Sequence, residues 1–173
     1  MLAHSPPLPL FIDYRNRCIT AEVEEGIFLA LKQLNRIRGI RVGLSFQNLQ
    51  KFIMVIDGEL PILEYLIMAA GGDDHNTKSV FPETIQASHL RHLVLDGVAP
   101  PIGSLLLTTA MGLVTLRLIM NHPPTYLNPN SLLQWIPPLS QLETLDVTVS
   151  YRLPVNHDDA VVAYASHHTH HTP

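Results

Sequence analysis

Apolar residues recur along this chain in one frame, L-x-x-L-x-L. It occurs at Leu63–Met68, Leu90–Leu95, Leu113–Leu118 and Leu142–Val147, and with β-branched residues at Ile37–Val42. The last two apolar positions of each copy lie two residues apart, so both point to one side of a β-strand. The first packs into the same core from the preceding turn. The copies begin at 37, 63, 90, 113 and 142, giving intervals of 26, 27, 23 and 29. One copy means little, but five at near-constant spacing match the ~20–29 residue period of stacked strand-plus-helix units. A degenerate sixth copy is expected at Pro7–Asp13, where Leu10 and Ile12 face one way.

The segments between copies supply the other half of each unit. Thr20 is placed to cap a helix over residues 21–35. Glu22, Glu24 and Glu25 suit its positive end, and Ile27, Leu31 and Leu34 form its apolar stripe. A second helix should begin at Ser45 or Gln47, bury Leu49, Phe52, Ile53 and Ile56, and stop at Asp57-Gly58. Phe81 to Ala87 leaves room only for an irregular or 3₁₀ turn. Pro100-Pro101 should open a helix carrying Leu105, Leu106 and Ala110. Asn128-Pro129 should start another with Leu132, Leu133 and Trp135, which Pro137-Pro138 end.

One such unit cannot bury both its faces, so neighbours must stack. The expected fold class is therefore α/β: a leucine-rich-repeat solenoid of about five to six repeats. Parallel strands line its concave face, and helices or loops its convex face. The expected organisation is a loose lead-in over 1–6, the solenoid over 7–150, and a His-rich, disordered tail over 151–173. The strand residues between the inward positions should face the concave side. They are Gly39, Arg41, Tyr65, Ile67, His92, Val94, Asp96, Thr115, Arg117, Ile119, Thr144, Asp146 and Thr148. Their mixture of aromatic, aliphatic and charged groups fits a protein-contact surface.

Composition narrows the function classes. Hydrophobic residues make up 46% of the 173 and charged residues 15%, so the chain has the means to build a core. A net charge of −4 argues against a nucleic-acid partner. No apolar run reaches the ~20 residues that span a bilayer, so no membrane is expected. Met1 to Pro9 lacks the pattern of a secretory signal. The single cysteine, Cys18, has no internal partner. The expected location is intracellular, in the cytoplasm or nucleus.

The repeats resemble leucine-rich repeats of the irregular, ~26-residue type found in F-box/leucine-rich-repeat proteins. The stretches Ile19–Glu22, Leu60–Met68, Phe81–Gly97 and Leu132–Val147 look like the repeat region of the large fungal F-box-like families. The resemblance covers residues 7–150. It implies a receptor whose repeats hold a protein substrate while an F-box recruits an SCF ubiquitin ligase. No F-box helix bundle is read in this chain, so an SCF adaptor is a partner only if an F-box lies outside it. The family's asparagine, three positions after the last leucine, is present at Asn121 and replaced by Ser45, Gly71, Val98 and Ser150 in the other copies.

The remaining chemistry adds little. His167-His168-Thr169-His170-His171 could ligate zinc, copper or nickel, but its spacing matches no closed zinc site. Seven of the eleven basic residues (Arg15, Arg17, Lys32, Arg36, Arg38, Arg41 and Lys51) fall in one third of the chain and read as a solvated ridge. Gly71-Gly72-Asp73-Asp74 lacks a phosphate-loop arrangement. No G-x-S-x-G or other catalytic constellation is present. The expectation is a non-enzymatic protein-binding scaffold with no cofactor. The alternatives are a truncated repeat fragment without activity of its own and a metal-binding role for the tail.

Overall fold

The computed structural model describes residues 8–71, 81–98, 100–101, 103–120, 139–150 and 164–168. They form an α/β fold around one sheet. Its strands are β1 (Leu10–Tyr14), β2 (Ile37–Ser45), β3 (Tyr65–Gly71), β4 (His92–Asp96), β5 (Thr115–Met120), β6 (Thr144–Ser150) and β7 (Tyr164–His168). The strands lie side by side in chain order, and the sheet does not close into a barrel. The first six are all parallel, and β7 pairs with β6 antiparallel. This last strand falls in the stretch expected to be a disordered tail. It meets the otherwise unpaired edge of β6, where backbone groups need partners. The helix expected from Pro129 with its Trp135, the repeat residue Asn121, the lead-in and the rest of the tail lie outside the described residues.

Helix α1 (Ala21–Leu31) follows β1, α2 (Phe46–Val55) follows β2, and the short α3 (Leu105–Thr109) follows β4. Thr20 caps α1 as expected, its hydroxyl accepting from the Val23 amide at 3.4 Å. The helix stops at Leu31, and a 3₁₀ turn over Leu34–Arg36 leads into β2. Helix α3 starts later than the proline pair suggests. Gly103, at φ +76°, breaks the chain after Pro100-Pro101, and Ser104 becomes the cap, its buried hydroxyl accepting from the Leu106 amide. Phe81–Ala87 is irregular, with Phe81, Ile85 and Ala87 buried.

One face of the sheet is the core. Ile12, Ile40, Leu66, Leu93, Leu116 and Leu145 form one row across it, and Val42, Met68, Leu95, Leu118 and Val147 the next. Leu66, Leu93 and Leu116 are 0–1% exposed. Each fully buried leucine contributes ~1.5–3 kcal/mol through removal of its surface from water. Leu49, Phe52 and Ile53 of α2 and Ile27 and Leu31 of α1 join the same core.

Strands β3 to β6 begin two residues after their L-x-x-L-x-L frame opens, because the first leucine belongs to a turn, whereas β2 begins at Ile37, where its own copy opens. Leu63, Leu90, Leu113 and Leu142 each donate their amide to the carbonyl three residues back, at Leu60, Ala87, Ala110 and Leu139. Those four residues are also buried, so the frame extends one position further than the sequence pattern suggested. The next amides bond to the preceding turn: Glu64 to Arg38, Arg91 and His92 to Glu64, Val114 and Thr115 to Arg91, and Glu143 and Thr144 to Val114. The same bonds recur at every step, so successive turns stack in one geometry. An ion pair reinforces the first step, Arg38 Nε lying 2.9 Å from Glu64. This partner raises the Arg38 pKa.

Candidate binding face of the sheet

The face of the sheet opposite the core holds the residues expected to make contacts. All eleven singled out (Arg41, Tyr65, Ile67, His92, Val94, Asp96, Thr115, Arg117, Ile119, Thr144 and Asp146) are half-buried or exposed there. Every neighbour beside them on their strands that points to the core is buried on β3, β4 and β5. In-register pairing sorts them into rows. Tyr65, His92, Thr115 and Thr144 form one; Arg41, Ile67, Val94, Arg117 and Asp146 the second; Ala69, Asp96, Ile119 and Thr148 the third.

In the first row the Tyr65 and His92 rings stack, with centroids 4.8 Å apart and planes within 7°. The separation equals the ~4.8 Å between neighbouring strands, so the register alone brings the rings into contact. His92 Nδ1 then meets the Thr115 hydroxyl at 3.2 Å, which fixes the ring's orientation. Gly39 is the one expected position not open to solvent. Phe11 of β1 lies over it, so that a Cβ there would sit 2.7 Å from the ring. Phe11 itself is 62% exposed and extends the aromatic row to the first strand. The alternation around Ile12 carries the signal for Phe11, although sequence reasoning did not include it in the face.

The charged groups of the second row are paired. Arg117 Nε lies 2.7 Å from Asp146, and Asp13 receives Arg15 at 3.2 Å and Arg41 at 3.7 Å. Asp96 in the third row differs. Among the described residues its carboxylate makes no hydrogen bond or ion pair. Burial raises its pKa, and the charge of Arg117 offsets only part of that rise. Its row neighbours are Ala69 and Ile119, with Val94 two residues away on its own strand, so it sits in an aliphatic strip.

The other candidates do not assemble into a site. The basic residues of the first third disperse. Arg36 binds the Leu8 carbonyl and Gln33, Lys51 reaches Glu24 at 3.5 Å, and Arg38 and Arg41 point to the partners given above. A shallow, open depression runs along α1 from Ala21 to Lys32, but residues from one helix cannot enclose a ligand. Among the described residues no three His, Cys, Asp or Glu side chains converge as a metal site, and no helix is long and apolar enough to cross a membrane. Cys18 is exposed and unpaired by any disulfide. Comparison of the chain with protein-family models, with curated proteins and with solved structures gave no match.

Proposed function

We propose that this chain is a leucine-rich-repeat solenoid that binds another protein through the bare face of its sheet, in the manner of the substrate-binding repeats of F-box proteins. The observation that carries the reading is a parallel sheet whose second face has no covering layer of helices among the described residues. Parallel sheets are otherwise found with both faces covered. The common exceptions are repeat solenoids, which use the uncovered side for binding. The repeated turn bonds from Arg38 to Thr144 support the same reading, since one geometry recurs at intervals of 23–29 residues. The face also has the composition of an interface, with aromatic and arginine anchors (Phe11, Tyr65, Arg41, Arg117) among aliphatic and hydroxyl groups.

The test is affinity capture from cell lysate with the full chain, compared with a double variant, Tyr65→Ala with Arg117→Ala, whose melting curve shows it folded at the temperature of the capture. A small set of proteins retained by the wild type and lost from the variant supports the reading. Recovery of SCF adaptor and cullin subunits would extend it to a ligase receptor. Retention indifferent to the variant refutes the bare face as the binding surface.

A further inference from the structure

We propose that Asp96 is the anchor for a cationic side chain, lysine or arginine, carried on a segment of the bound protein between aliphatic residues. The inference rests on the protein-binding reading above and names the chemistry of the partner at its centre. The argument is one of charge complementarity on the face. Its other carboxylates are compensated within the chain, Asp13 by Arg15 and Arg41 and Asp146 by Arg117. With Arg117 Nε 2.7 Å from Asp146, that guanidinium acts on Asp96 only through space. Asp96 is therefore the carboxylate of the face without a contact partner among the described residues, whereas at the β1 edge the balance is reversed and two arginines meet Asp13.

The surroundings of Asp96 select the ligand. Ala69 and Ile119 flank Asp96 in its row, ~4.8 Å away on either side at strand spacing. Val94 and Ile67 lie in the next row. A lysine or arginine stem is a chain of methylenes with a charged end, and it buries the stem on apolar surface while the end reaches its partner. A half-buried carboxylate with Ala69 and Ile119 on either side and Val94 two residues back matches that shape. An anionic or purely apolar segment would leave Asp96 unpaired under the interface, where an uncompensated charge is costly. His92 lies four residues along the same strand, ~13 Å away. A single partner segment can therefore reach Asp96 and the Tyr65–His92 stack together.

The test is panning of a displayed random-peptide library on the full chain, followed by affinity measurement of the enriched peptides. The expected result is peptides sharing a Lys or Arg with aliphatic neighbours. Their affinity should fall roughly tenfold or more with Asp96→Asn, as for loss of a charge-assisted contact, and likewise when the peptide cation becomes Gln. Glu25→Gln, which makes the same change in net charge on α1, should leave affinity within about twofold, as expected for a screened distant charge. Peptides abolished by Val94→Glu but indifferent to Asp96→Asn would overturn the cation assignment while leaving the binding face standing. A library yielding no peptide sensitive to Val94→Glu would overturn both. Melting curves of each variant exclude loss of fold as the cause.

Discussion

Leu93 and Val94 are neighbours in the chain on opposite faces of the sheet, and truncating each to alanine tests the architecture directly. Leu93 is fully buried, with Leu66 and Leu116 on either side, both 0–1% exposed. Strands on both sides prevent the site from collapsing around a cavity, so Leu93→Ala should fall in the middle to upper part of the range for buried leucines, ~3–4 kcal/mol. Val94 is half-buried on the open face. Val94→Ala removes two partly wet methyl groups and should cost about 1 kcal/mol or less. Leu145 continues the Leu93 row but is only half-buried, and Leu145→Ala should fall between them, at ~1–2 kcal/mol. Urea denaturation reads all three. With a slope of about 2–3 kcal/mol per molar urea for a chain of this size, Leu93→Ala should lower the midpoint by about 1–2 M and Val94→Ala by less than half that. An unchanged slope would show that the three variants unfold by the same transition. Equal costs at Leu93 and Val94, or a larger one at Val94, would mean that the alternation of faces is wrong.

Three further outcomes are expected. Asp96→Asn should raise the melting temperature at pH 7. The Asp96 pKa lies above its ordinary value in the folded chain, so its ionised form costs stability. That cost vanishes below the ordinary carboxylate range, where both states are protonated, and grows as pH rises through the shifted pKa; a gain at pH 7 that disappears near pH 3 is the signature. Gly97, at φ +72° with a would-be Cβ 3.0 Å from Ala70, should lose ~1–2 kcal/mol on change to Ala, whereas Gly112, which has open space at its Cβ position, should lose far less in the same denaturation assay. A double-mutant cycle on Tyr65→Ala and His92→Ala should give a coupling of ~0.5–1 kcal/mol for the stacked pair, and a coupling near zero would refute the stack.

The L-x-x-L-x-L frame makes most of the sheet legible, because strand direction, register and the buried face all follow from where each copy starts. Tyr65, His92, Thr115 and Thr144 occupy the same place in their copies and come out as one row. The frame is silent on what side chains do across the strands. Thr115 holds the His92 ring, Arg117 chooses Asp146 over Asp96, and Phe11 leans across Gly39. Each depends on rotamers and on neighbours 23–29 residues away, for which the sequence has no period. The start of α3 is not legible in the sequence for a different reason. Proline pairs mark a break, but the left-handed turn at Gly103 decides on which side of it the helix begins. The buried residue three positions before the four leucine frames carries no common signature, because it is Leu in two copies and Ala in two others.

The repeated turn has a consequence for how such a chain can change over evolutionary time. Cuts just before Leu63, Leu90 and Leu113 expose the same seam on both sides, with one amide bonded inside its own turn and the next ones bonded to the turn before. Excising residues 90–112 would join two ends that already have matching geometry, and duplicating them would insert a strand in register. Unequal recombination can therefore lengthen or shorten the sheet by one strand at a time. A slip of a single residue within a frame is a different event, since it would turn every side chain of that strand to the wrong face. The positions at which change leaves this packing intact are the connecting segments, whose lengths differ from copy to copy, and the outward rows, which lie above the core without contributing to it.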